Sequence, residues 1–64
     1  DELNAALEEL EADSPRQRVV IEHRFFGGFS IAETAELLSV SEATVERDWR
    51  LARTKLYAIL RHGE

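Results

Sequence analysis

Five basic side chains (Arg47, Arg50, Arg53, Lys55 and Arg61) lie between Thr44 and Arg61, against two acids, Glu46 and Asp48. Arginine carries a planar fork of donors that meets guanine O6 and N7, or a phosphate, with two hydrogen bonds at once. On a helix, Arg47 and Arg50 share one side and Arg53 sits at its margin, so the chemistry on offer is nucleic-acid recognition. The bland alternative is a solvated helix face. Glu46 can accept from cytosine N4 or pair with Arg50 four residues on, and both readings stand. Arg53 suits a phosphate contact or a salt bridge better than a base edge. Other chemistries fare worse. His23 and His62 are far apart and the chain holds no cysteine, so no metal site is expected. A Ser/His/Asp set can be written on paper, but 64 residues bury too little surface to dry and orient one. No catalytic residue and no cofactor is expected.

The basic stretch needs a long helix to carry it. At 100° per residue, Val45, Trp49, Ala52, Leu56, Ile59 and Leu60 fall in one apolar stripe. Ala43, Glu46, Arg47, Arg50, Thr54 and Arg61 lie opposite. Trp49 therefore belongs to the core rather than stacking on a base. This helix is expected over residues 42–61, capped by Ser41 and stopped before Gly63. Ser30-Ile31-Ala32-Glu33 reads as a capping box opening a helix over 31–38, with Ile31, Thr34, Ala35 and Leu38 inward. Only Ser39 to Ser41 separate the two, a break that forces a steep crossing, as in a helix-turn-helix. Upstream, Ser14-Pro15-Arg16-Gln17 restarts the chain with a cap, an N1 proline and a second capping box. That helix is expected over 15–26, ending at Gly27-Gly28, and Leu3, Ala6, Leu7 and Leu10 mark a first one over 2–12. The expected fold is all-α, four helices with a helix-turn-helix, in a single domain over 1–64.

A net charge of −5 argues against a nucleic-acid partner until its distribution is read. Residues 1–13 hold six acids and no base, residues 14–40 are balanced, and the excess of bases begins at Thr44. The absence of cysteine is compatible with a cytoplasmic protein, and no apolar run is long enough for a membrane span. The chain opens at Asp1 and contains no methionine, so it is read as a fragment of a longer protein. In the second helix, Val19, Val20, His23 and Phe26 share one sector while Ile21 and Phe25 point elsewhere. One sector is expected to be core and the Ile21–Phe25 sector a partner surface, unless the first helix covers it.

The run from Arg24 through Leu38 (RFFGGFSIAETAELL), followed by Val40-Ser41-Glu42-Ala43-Thr44-Val45, resembles region 4 of sigma-70-type sigma factors. The ending Arg47-Asp48-Trp49-Arg50-Leu51-Ala52-Arg53 is similar to a branch of the extracytoplasmic-function (ECF) group. The resemblance covers about residues 14–60. It implies a non-enzymatic domain that binds the −35 promoter element, docks on the RNA polymerase β-flap, and works with a separate region 2. An anti-sigma factor is a further implied partner. Carried over by position, the resemblance assigns base reading to Glu46, Arg47 and Arg50, and backbone contact to Ser41, Thr44 and Arg53. Two positions depart from the pattern: Ser39 stands where a glycine is usual, and His23 where a leucine is usual. A response-regulator effector domain and a protein-interaction module that keeps only the helix-turn-helix shape are the alternatives. The R-F-x-x-G-x-S linkage and the long arginine-bearing last helix favour the sigma reading.

Overall fold

Each helix begins where a side chain can take up the backbone donors that a helix start leaves unpaired. In the computed structural model, which describes residues 1–62, four helices follow in order. Helix α1 (Glu2–Asp13) is opened by the Asp1 carboxylate, which accepts from the Asn4 N–H at 2.8 Å. Helix α2 (Pro15–Ile21) is opened by Ser14, whose hydroxyl accepts from the Gln17 N–H at 3.3 Å. The expected capping box at Ser14 is only half present. Gln17 turns its amide into the interior and leaves its Oε1 without a partner. At Ser30 the box is complete: the hydroxyl accepts from the Glu33 N–H at 3.0 Å and the Glu33 carboxylate accepts from the Ser30 N–H at 2.9 Å. Helix α3 (Ile31–Leu38) follows, and helix α4 (Glu42–His62) starts at Ser41, which accepts from the Thr44 N–H at 3.1 Å. Gly63, read as the stop of α4, lies outside the described residues, as does the His62 side chain.

The expected single helix over 15–26 is α-helical only to Ile21 and then widens into a π-helical turn, Glu22–Phe26. The Gly27 N–H reaches back five residues to the Glu22 carbonyl at 2.8 Å, and the Phe29 N–H takes the His23 carbonyl at 2.9 Å. His23 donates from Nδ1 to the Val19 carbonyl at 2.8 Å and lies 5.4 Å from the Phe29 ring. Such widened turns give the chain an extra residue with which to change direction. The two glycines serve this bend for different reasons. A Cβ on Gly27 would meet the Phe29 ring at 3.0 Å and the His23 carbonyl at 3.1 Å, and Gly28 sits at φ +70°. Neither position suits a side chain.

The core has two parts. Ala6, Leu7 and Leu10 of α1 pack with Ile21 of α2 and with Ala52 and Leu56 of α4. Val20, Ala35 and Val45 make the second cluster, edged by Ile31, Leu38 and Val40. Trp49 borders both. The apolar stripe of α4 is thus buried as its spacing predicts. The sector reading of α2 needs correction at Ile21. Its side chain is 0% exposed beneath α1 and α4, so it is core and not a partner surface. The first helix covers that sector at Ile21 and not at Phe25. Phe25 remains 59% exposed, and Phe26, expected to share the core sector, is exposed as well. The π turn rotates both phenylalanines past the phase that a continuous α-helix would give them.

Ser39 closes α3 in the left-handed region, φ 57° and ψ 43°. The Val40 N–H then reaches the Ala35 carbonyl at 3.0 Å and the Ser39 N–H the Glu36 carbonyl at 3.3 Å, the paired bonds of a Schellman ending. A left-handed non-glycine residue costs on the order of 1 kcal/mol. Ser39→Gly is therefore expected to stabilise the fold by about 0.5–1 kcal/mol, after allowance for the greater backbone freedom glycine has when unfolded. Urea denaturation of the two proteins measures the difference, and an unchanged or lowered midpoint contradicts it.

Candidate nucleic-acid interface

With 21 residues, α4 spans most of the longest dimension of the molecule, 35 Å. Its inner side is Val45, Asp48, Ala52 and Leu56, all buried. Its outer side exposes Glu46, Arg47, Arg50 and Arg53. Ser41 is exposed and Thr44 half-buried at the helix start, where the Ser41 hydroxyl donates to the Thr44 hydroxyl at 2.9 Å. The fold therefore brings these six residues onto one helix and its cap, clear of the core.

Ion pairs elsewhere sort the cations. Arg18 is held between Glu11 and Glu22, both at 2.7 Å, and the Glu22 bond in particular pushes its guanidinium pKa up. Lys55 pairs with Asp13. Arg16 faces Asp48, with Nε to Oδ2 at 2.5 Å and Nη2 to Oδ1 at 3.5 Å. The Nε approach is off-line, so Oδ2 has the charge close by without a well-aligned hydrogen bond. Among the described residues, Arg47, Arg50, Arg53 and Arg61 form no such pair. Of the cations left over, all but Arg24 lie on α4.

Asp48 was missed in the sequence. It is 3% exposed in the middle of the helix that carries the arginines. Its position, 60° from Val45 at 100° per residue, was the available signal. A carboxylate on the flank of an apolar stripe calls for a cation from another element, but spacing alone does not say that Arg16 supplies it. A second unforeseen feature surrounds Trp49. The Arg24 guanidinium carbon lies 5.3 Å from the Trp49 ring centroid, that of Arg53 5.2 Å, and the Phe25 ring 6.4 Å. Arg24 also donates to the Phe29 carbonyl at 2.7 Å, tying the bend before α3 to α4.

A short turn between α3 and a long helix with exposed, unpaired arginines defines a helix-turn-helix DNA-binding domain. A family model for ECF sigma factors matches residues 1–62, and the chain belongs to that family. No significant match was found among curated proteins or solved structures. Sigma factors are non-enzymatic proteins of transcription initiation, and their partners are RNA polymerase and promoter DNA. Among the described residues, no three histidine, cysteine or acidic side chains gather as a metal site would require, and no helix is long and apolar enough to cross a membrane.

Two stability measurements probe this framework. Arg16→Ala leaves the buried Asp48 carboxylate without its cation and is expected to cost about 1–3 kcal/mol, the penalty of an orphaned buried polar group. Asp48→Asn, which removes the charge in place, should cost less in the same denaturation experiment. The reverse order would mean that the pair contributes net attraction beyond its desolvation. Glu33, hydrogen-bonded by the Ser30 backbone and hydroxyl, has its pKa lowered. A depressed carboxylate adds stability above its unfolded pKa, about 4.3, and loses it as pH falls through the lower folded value. Melting from pH 6 down to about 3 should show this loss, and Glu33→Gln should flatten it. An unchanged pH profile in Glu33→Gln would remove the cap from the acid response.

Proposed function

We propose that the 64 residues form the C-terminal DNA-binding domain, region 4, of a longer cytoplasmic ECF sigma factor, and that this domain reads the −35 promoter element. The observation that carries the reading is the exposed stripe of Glu46, Arg47 and Arg50 in the first half of α4, unpaired with other elements, in a chain of this family. A recognition helix meets base edges through its N-terminal residues while the preceding helix crosses the backbone. Arg47 and Arg50 donate to guanine edges, and Glu46 accepts from a cytosine amine or orients Arg50. Ser41, Thr44 and Arg53 touch phosphates, fixing register without reading sequence. The polymerase is engaged through its β-flap, on a surface that includes the exposed Phe25, and an anti-sigma factor competes for the domain.

The acidic α1 and three to five phosphate-facing bases should give weak, salt-sensitive binding, with a slope of log K on log salt of about −3 to −4.5. Titration against cognate and scrambled duplexes at one salt concentration tests the residue roles. Arg47→Ala or Arg50→Ala should cost about 1–3 kcal/mol on the cognate duplex and much less on the scrambled one. Arg53→Ala should weaken both alike. Equal losses on both duplexes for Arg47 and Arg50 would reduce them to backbone contacts and transfer specificity to Glu46 or to DNA shape.

A further inference from the structure

Trp49 is half-buried between the two core clusters, yet its ring also meets two guanidinium groups, those of Arg24 and Arg53. Both guanidinium carbons are inside the distance, about 6 Å from the centroid, at which a cation is held by an aromatic face. The ring itself has little freedom. It is wedged between the clusters, Phe25 lies 6.4 Å away, and Arg24 is anchored by its bond to the Phe29 carbonyl. Arg53 comes from the same helix as Trp49, one turn on, and is exposed. It has no carboxylate partner among the described residues, so its charge is uncompensated.

We propose that Trp49 is a positioning residue for DNA binding: its ring holds the Arg53 guanidinium, pre-ordered and without a counter-ion, for a backbone phosphate. This rests on the reading of the domain as a DNA binder. A free arginine loses several rotamers when it meets a phosphate, and a side chain already stacked on a fixed ring has less to lose. The planar guanidinium stacks where an ammonium does not, so lysine cannot take the same place. The ring thus does two things at once, closing the core on one side and presenting a cation on the other.

The test is a double-mutant cycle on DNA affinity with the full chain, combining Arg53→Lys with Trp49→Leu, each variant first shown to be folded by circular dichroism. Arg53→Lys keeps the charge, and so the salt slope, but loses the stack. It should weaken binding to cognate and scrambled duplexes alike, by about 2- to 5-fold. In the Trp49→Leu background the same change should cost nothing further. An equal penalty in both backgrounds, or full affinity in Arg53→Lys alone, overturns the inference while leaving DNA binding intact. If Trp49→Leu does not fold, Trp49→Met replaces it, since it fills the space without an aromatic face, and an undiminished Arg53→Lys penalty there is equally decisive against it. If the unaltered chain binds neither duplex, the DNA-binding reading itself has failed, and the inference falls with it.

Discussion

One helix has to close two separate clusters of apolar side chains, and that demand governs the domain. Helix α4 supplies Ala52 and Leu56 to the cluster with α1, and Val45 to the cluster with α3. Trp49, between them in sequence, edges both. Because these residues repeat at helical spacing, the rotation of α4 about its axis is set by packing along most of its length. A turn of even one residue's phase would expose Val45 or Leu56 and bury an arginine. The direction in which Glu46, Arg47 and Arg50 point is therefore a consequence of the core.

The distribution of charge follows a similar logic. Asp48 is buried on the inner flank of α4, where a lone carboxylate is costly, and Arg16 from the start of α2 answers it. Arg18 and Lys55 are engaged by Glu11, Glu22 and Asp13. Exposed pairs of this kind contribute little stability each. Their larger consequence is electrostatic: they neutralise Arg18 and Lys55 while leaving Arg47, Arg50 and Arg53 unpaired, so that a chain of net charge −5 still presents a basic face along one helix. The exposed acids of α1 repel DNA, which disfavours approach by that helix.

What could be read from the residues, and what could not, divides along physical lines. Helix existence and the inward stripe of α4 came from periodicity, and the starts at Ser14, Ser30 and Ser41 from cap chemistry. All of these are local signals. The left-handed Ser39 stood out because the family it resembles usually has a glycine at that place. The π turn was not, since a widened turn has no spacing of its own and depends on Phe29 and Gly27 packing back on His23. That local departure bears on Phe26, which lies in the turn and is exposed, whereas Ile21 precedes it and is buried because α1 and α4 close over it. Arg16 with Asp48, and Arg24 with Trp49, are pairs made by tertiary approach, 32 and 25 residues apart in the chain. Of the proposed interface, the arginine stripe was legible, whereas the braces behind it were not.

Those braces bear on how such a domain changes its preferences. Glu46, Arg47 and Arg50 are exposed and are not members of either core cluster, so substitutions there are expected to act on the ligand and leave the fold nearly untouched. Surface changes of that kind are generally within about 0.5 kcal/mol of neutral for stability. Asp48 and Trp49 sit between these residues in sequence and are constrained from behind, by Arg16 and by the Arg24–Phe25 bend. A run such as Glu46-Arg47-Asp48-Trp49-Arg50 therefore alternates positions free to vary with positions that are not. Variation at the free positions keeps the angle of presentation, because the constrained ones hold the helix phase. A change at Asp48 or Trp49 shifts every outward side chain together, so its effect on binding is spread over the whole stripe.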